Sequence, residues 1–230
     1  FNARAYKKAD GGYLISIPEN PNVTCLYGLD AIGDTLFTRL YERTYGFEGT
    51  LAGSGSLPLA DGSLLLLNTS GANWHYLQLM RVDMDGNYIW SRTYIDSYEI
   101  SYALAAVQTD PDSVIVVGRH QGWGFLMKMD LNGNIGWHRR FALLQGGPIQ
   151  VGTPKEIHEL ENGDLFVRLD LSGQDMIAHF NALGELQEMV QLFVPAQPWT
   201  GFYDDLRLTG DGQELILAGA VQYYGSPWWN

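Results

Sequence analysis

The sequence predicts an all-β protein built from a repeated unit of four antiparallel strands, and three observations predict it. Five short apolar runs begin at Tyr13, Leu64, Val114, Leu165 and Leu215, so successive starts lie 51, 50, 51 and 50 residues apart. Each run follows a turn signal: Asp10-Gly11, Asp61-Gly62, Asp110-Pro111-Asp112, Asn162-Gly163 and Asp211-Gly212. No stretch sustains helical periodicity. Asx-Gly between apolar segments marks a hairpin, because Gly, Asn and Asp tolerate positive φ.

Taken in order, each unit opens on a candidate strand ahead of that turn. Ala3 to Lys8, Leu104 to Gln108, Lys155 to Glu159 and Leu206 to Leu208 are the examples. The apolar run is the second strand. A second hairpin follows, whose first strand ends at Asp30, Asp83, Asp130 or Asn181, with Gly33, Gly86, Gly133 or Gly184 three residues on. Its returning strand carries Phe37, Trp90 or Trp137, then Arg39, Arg92 or Arg139 two residues later; Glu188 and Val190 break this pattern in the fourth unit. Ala182 to Val190 is the nearest approach to a helical pattern, and the repeat places it in the second hairpin.

A four-stranded unit of about 50 residues with one core-facing aromatic is the pattern of a β-propeller blade. The expected domain is a single propeller over residues 1–230. Its blades fall at about 1–45, 53–97, 100–144, 152–196 and an incomplete 202–230, four and a half in all. A partial ring of a larger propeller, a five-bladed ring with one incomplete blade and an open stack all fit this count. Trp90 and Trp137 are expected to pack between adjacent sheets, with Asp83, Gly86, Asp130 and Gly133 forming the structural turn motif.

The segment Phe125-Leu-Met-Lys-Met-Asp-Leu-Asn-Gly-Asn-Ile-Gly-Trp137, together with Asp10-Gly-Gly-Tyr-Leu-Ile15, resembles the propeller-like repeats of secreted and surface proteins of Bacteroidota-type bacteria. It is also similar to the tryptophan-bearing blades of quinoprotein dehydrogenases and their non-catalytic relatives. This resemblance implies an extracellular or cell-surface module of a larger bacterial protein, acting in scaffolding, adhesion or assembly. Its partners would be other domains or subunits of a surface assembly, and glycans.

Bulk composition narrows the function classes. Net charge is −12 and the pI about 4.6, which argues against nucleic acid, whose phosphates need clustered Lys and Arg. The same charge disfavours an anionic membrane surface, and no apolar run is long enough for a membrane helix. Cys25 is the sole cysteine, so an internal disulfide and a cysteine metal site are excluded. The chain opens on Phe1, without Met or a signal peptide, as expected of a mature product or a piece of something larger.

Candidate chemistry is sparse. Asp83, Asp85 and Asn87 alternate oxygen ligands as a calcium loop does, and Asp130, Asn132 and Asn134 do likewise. The glycine stands at the fourth position and no Glu closes the loop, so a self-bonded turn is the simpler reading. His75, His120, His138, His158 and His179 lack zinc spacing, and no nucleophile elbow, phosphate loop or dinucleotide fingerprint is present. Cys25 alone cannot supply the adjacent cysteine pair that many quinoprotein enzymes carry.

A glycosidase-type propeller would need carboxylates from several blades, and Glu156, Asp204 and Asp205 lie just before or at the first strand of their units. Trp74, Tyr76 and Trp123 fall in the loop between the two hairpins of their units, as do Tyr223, Tyr224, Trp228 and Trp229. Together they are the candidate ring-stacking surface. The expectation is therefore a module that is not an enzyme and holds no cofactor, with a carbohydrate-active or quinoprotein-like propeller enzyme as the alternative.

Overall fold

The computed structural model describes residues 3–20, 23–42, 55–70, 76–94, 101–120, 123–142, 152–171, 174–192, 199–208 and 215–223. They form eighteen strands and no helix. Four sheets have four antiparallel strands each, in simple sequential order: β1 (Arg4–Lys7), β2 (Tyr13–Asn20), β3 (Val23–Leu29) and β4 (Thr35–Glu42); then β5 (Gly55–Pro58), β6 (Ser63–Ser70), β7 (Tyr76–Asp83) and β8 (Tyr88–Tyr94). The third holds β9 (Ser101–Asp110), β10 (Ser113–His120), β11 (Trp123–Asp130) and β12 (Ile135–Phe141). The fourth holds β13 (Thr153–Glu159), β14 (Leu165–Leu171), β15 (Gln174–Phe180) and β16 (Leu186–Gln191). A two-stranded sheet pairs β17 (Trp199–Leu208) with β18 (Leu215–Tyr223). This is the all-β architecture of propeller blades.

The apolar runs are the second strands β2, β6, β10, β14 and β18, as their periodicity requires. Being flanked on both sides, such strands lose the usual apolar–polar alternation. Leu64, Leu65, Leu66 and Leu67 of β6 are all buried, as are Val114, Ile115, Val116 and Val117 of β10. Phe37, Trp90, Trp137 and Glu188 each occupy the third position of an outer strand.

Residues divide into two compact units, Phe1–Arg140 and Phe141–Asn230. In the first unit, directly paired residues share a sheet face, so register assigns each side chain to an interface. Leu14 and Leu26 of the first sheet meet Leu64, Leu66, Met80 and Val82 of the second, with Tyr6, Phe37 and Tyr41 alongside. The opposite face of the second sheet, through Leu65, Leu67, Leu77 and Leu79, meets Val114, Val116, Phe125, Met127 and Met129 of the third.

In the first unit β4 and β8 each close on the second turn of the next sheet. Tyr41 donates its hydroxyl to the Gly86 carbonyl, and Tyr94 donates to the Gly133 carbonyl at 2.7 Å. The Trp90 indole N–H and the Arg81 guanidinium both donate to the Leu131 carbonyl, each at 2.8 Å. Gly86 and Gly133 have φ of 71° and 80°. A Cβ on Gly133 would stand 2.9 Å from Arg92 Cδ and 3.1 Å from the Trp90 ring; on Gly86 it would stand 2.7 Å from the Phe37 ring. Glycine is therefore required twice over, by backbone conformation and by the approach of the neighbouring strand.

Candidate functional site

The turn carboxylates are occupied by their own turns. Asp83 Oδ1 accepts from the amides of Asp85 and Asn87 at 2.9 and 2.7 Å, and its Oδ2 accepts from Asn87 Nδ2 at 2.8 Å. Asp130 repeats this set with Asn132 and Asn134. Asp85 pairs with Lys8 of the preceding sheet at 3.0 Å. Partial burial pulls the Asp83 carboxyl up, but the Asn87 and Asp85 donors outweigh it and leave the group below its ordinary value. These oxygens already serve as hydrogen-bond acceptors within a hairpin.

Three of the aromatic candidates sit in strands rather than in loops, which corrects the sequence reading. Tyr76 opens β7, Trp123 opens β11 and Tyr223 ends β18. Ladder pairing runs farther than the apolar runs suggest, reaching Ser70↔Tyr76, His120↔Trp123 and Trp199↔Tyr223. All three lie at the sheet end opposite the Asx-Gly turns, and Trp123 is half-buried. Trp74, Tyr224, Trp228 and Trp229 lie outside the described residues.

The carboxylate candidates also lie within strands, Glu156 in β13 and Asp204 and Asp205 in β17. Here register reveals an equivalence. The first-strand residue paired to the fourth residue of each apolar run is Arg4, Gly55, Ala105, Glu156 or Asp205. In the second unit β13 and β17 approach within 8 Å between Cα atoms, so Glu156 and Asp205 occupy matching positions on neighbouring first strands. A register shift immediately precedes each, at Lys155 and Asp204. Such bulges bend a strand and re-aim the side chains beside them.

Arg168 makes the fourth sheet different. It stands where the second and third sheets have Leu67 and Val117, and it is buried. Its Nη2 lies 3.6 Å from Glu156 Oε1. Lys155 Nζ lies 3.5 Å from Asp170. His179 Nε2 is 2.9 Å from Asp164 Oδ2, and its ring stacks on Phe166 with centroids 4.7 Å apart and planes 1° from parallel. The contact with His179 is the main cause holding the Asp164 carboxyl below its ordinary value. Arg168 is the site residue that motif reading misses. Its signal was a charge in an otherwise apolar run.

No protein-family model matches the chain, and no curated protein matches it in sequence. Solved structures do resemble it. A protein from Lactobacillus plantarum superposes with a TM-score of 0.61 at 12% identity, over 94% of this chain and 63% of that one. A gluconolactonase from Xanthomonas campestris gives 0.51 at 15% identity, over 94% of this chain and 68% of its own. A luciferin-regenerating enzyme gives 0.54 at 14% identity, over 94% of this chain and 69% of its own. The neighbours are β-propeller-like, and the chain spans about three fifths of the first of them.

Two of these neighbours are enzymes, and the expectation that the chain is not an enzyme does not stand. That expectation rested on the repeats filling the chain, the acidic charge and the lack of a linear motif. A propeller assembles its site from strands some 50 residues apart, so a search among sequence neighbours carries no weight on this fold.

Proposed function

We propose that the chain belongs to a propeller enzyme acting on small carbohydrate-type substrates, with Glu156 and Asp205 as its acid–base pair. One observation supports this reading: Glu156 and Asp205 hold matching register positions on neighbouring first strands of the second unit, where the second and third sheets have Gly55 and Ala105. Opening a glycosidic or lactone bond needs one group to activate water and another to protonate the departing oxygen. The Arg168 guanidinium beside Glu156 stabilises a negative charge there, which suits the base. Asp205 takes the acid role. An extracellular setting, implied by the repeat resemblance, goes with this reading.

The test is turnover of a panel of aryl glycosides and sugar lactones by the natural polypeptide. Glu156→Gln and Asp205→Asn should each lower kcat by roughly 100-fold or more with the β-sheet circular dichroism unchanged. No turnover of any panel member, or variants as active as the parent, would overturn the assignment.

A further inference from the structure

The first sheet carries the receiving half of an interface whose donating half lies elsewhere. Its second turn matches those at Gly86 and Gly133 in its backbone bonds, with Asp34 where they have Asn87 and Asn134. Asp30 Oδ1 accepts from the amides of Ile32 and Asp34 at 3.0 and 2.9 Å, and Gly33 has φ of 94°. Yet a Cβ on Gly33 would meet nothing within 4 Å, and Gly33 is exposed where Gly86 and Gly133 are buried.

The sheet face running from this turn shows the same contrast. Register makes Tyr13, Ile15, Tyr27 and Leu29 the counterparts of Leu64, Leu66, Met80 and Val82. The latter four are buried under the first sheet, none more than 6% exposed. Of the former, Tyr13 is 38% exposed and the other three are only half-buried. Ile32 is 85% exposed and Leu40, on the same face, 60%. Exposed apolar side chains gathered on one sheet face mark a docking surface rather than a solvent boundary.

The two filled interfaces specify the occupant. In each, an outer strand presents an aromatic ring, an arginine and a tyrosine at its third, fifth and seventh positions: Phe37, Arg39 and Tyr41, or Trp90, Arg92 and Tyr94. In each, the covering sheet belongs to the same polypeptide. Both of these triples are already engaged, on Gly86 and Gly133. The third, Trp137, Arg139 and Phe141, lacks the hydroxyl, and Phe141 is buried against Phe180 with ring centroids 5.0 Å apart. The outer strand β16 offers Glu188 and Val190 instead. We infer that a further four-stranded sheet of the same polypeptide, outside residues 1–230, covers this face and closes an aromatic–arginine–tyrosine strand over the Gly33 turn.

The test places the photo-crosslinker p-benzoylphenylalanine at position 32 of the natural polypeptide, with position 85 as the internal standard. Position 85 should yield an intrachain adduct with the first sheet around Lys8, which it contacts here. Position 32 should yield an intrachain adduct with a strand that has the aromatic–arginine–tyrosine spacing. An adduct to a second copy, to a strand without that spacing or to residues 1–230 would overturn the inference. So would irradiation that gives no adduct at position 32 while position 85 reacts.

Discussion

The turns at Gly33 and Gly133 share one backbone design in different company. Both are closed by an aspartate that accepts two backbone amides, and both place glycine at positive φ. At Gly133 the preceding sheet adds a tryptophan ring, an arginine stem and a phenol, and the turn becomes part of an interface. At Gly33 the described residues add nothing. The difference shows that turn conformation is a local property, while its role in packing is conferred by a strand some 40 residues upstream.

The sharpest way to break the comparison is to remove the ring. Trp90→Ala deletes a half-buried indole packed on the core between the second and third sheets together with its hydrogen bond to Leu131, and should cost about 3 to 5 kcal/mol. A loss below about 1 kcal/mol in denaturant unfolding would show that the ring is not a packing element.

A matched pair of glycine substitutions separates conformation from contact. Gly33→Ala should cost about 1 to 2 kcal/mol, the strain of a left-handed backbone alone. Gly133→Ala adds overpacking against Arg92 and Trp90 and should cost a further 1 to 3 kcal/mol or so. Equal losses for the two variants would mean the interface yields without resistance.

Tyr94→Phe keeps the ring and removes the hydroxyl that bonds the Gly133 carbonyl, an effect of about 1 kcal/mol. It has a pH signature as well. Burial pushes the Tyr94 hydroxyl up from 10.0 to about 12. The unfolded chain therefore ionises first, and stability should fall as pH rises from 10 to 12. In the Phe variant this part of the loss should vanish, which parallel unfolding titrations would reveal.

The smallest effect lies in acid. Burial pulls the Asp130 carboxyl up, but the Asn134 and Asn132 donors and the Arg92 charge pull it further down, below its ordinary 3.8. Its contribution is present above that value and is lost as pH falls through the lowered one. Asp130→Asn should flatten the acid limb of the unfolding curve by a few tenths of a kcal/mol, as befits an exposed group. An unchanged acid limb would show that the turn bonds survive protonation.

The blades themselves were legible because their signals are short-range. Asx-Gly turns and apolar runs recur at nearly constant spacing, and both act through bonds within a few residues. Strand ends were less legible, since ladder pairing to Tyr76, Trp123 and Tyr223 depends on a partner strand rather than on propensity. Glu156 and Asp205 stood out only as carboxylates near a first strand. That they share a register position, and that Arg168 stands beside Glu156, follows from pairings the linear sequence does not display.

By itself the sequence determined the unit: four strands, two turns and the aromatic–arginine pattern of the outer strand. Hydrogen bonding and hydrophobic periodicity act within a few residues, and those can be read along the chain. Tertiary structure alone decided which turn is gripped, which sheet face is covered and which first strands become neighbours. These depend on contacts between residues about 50 positions apart, where similar local segments meet different surroundings.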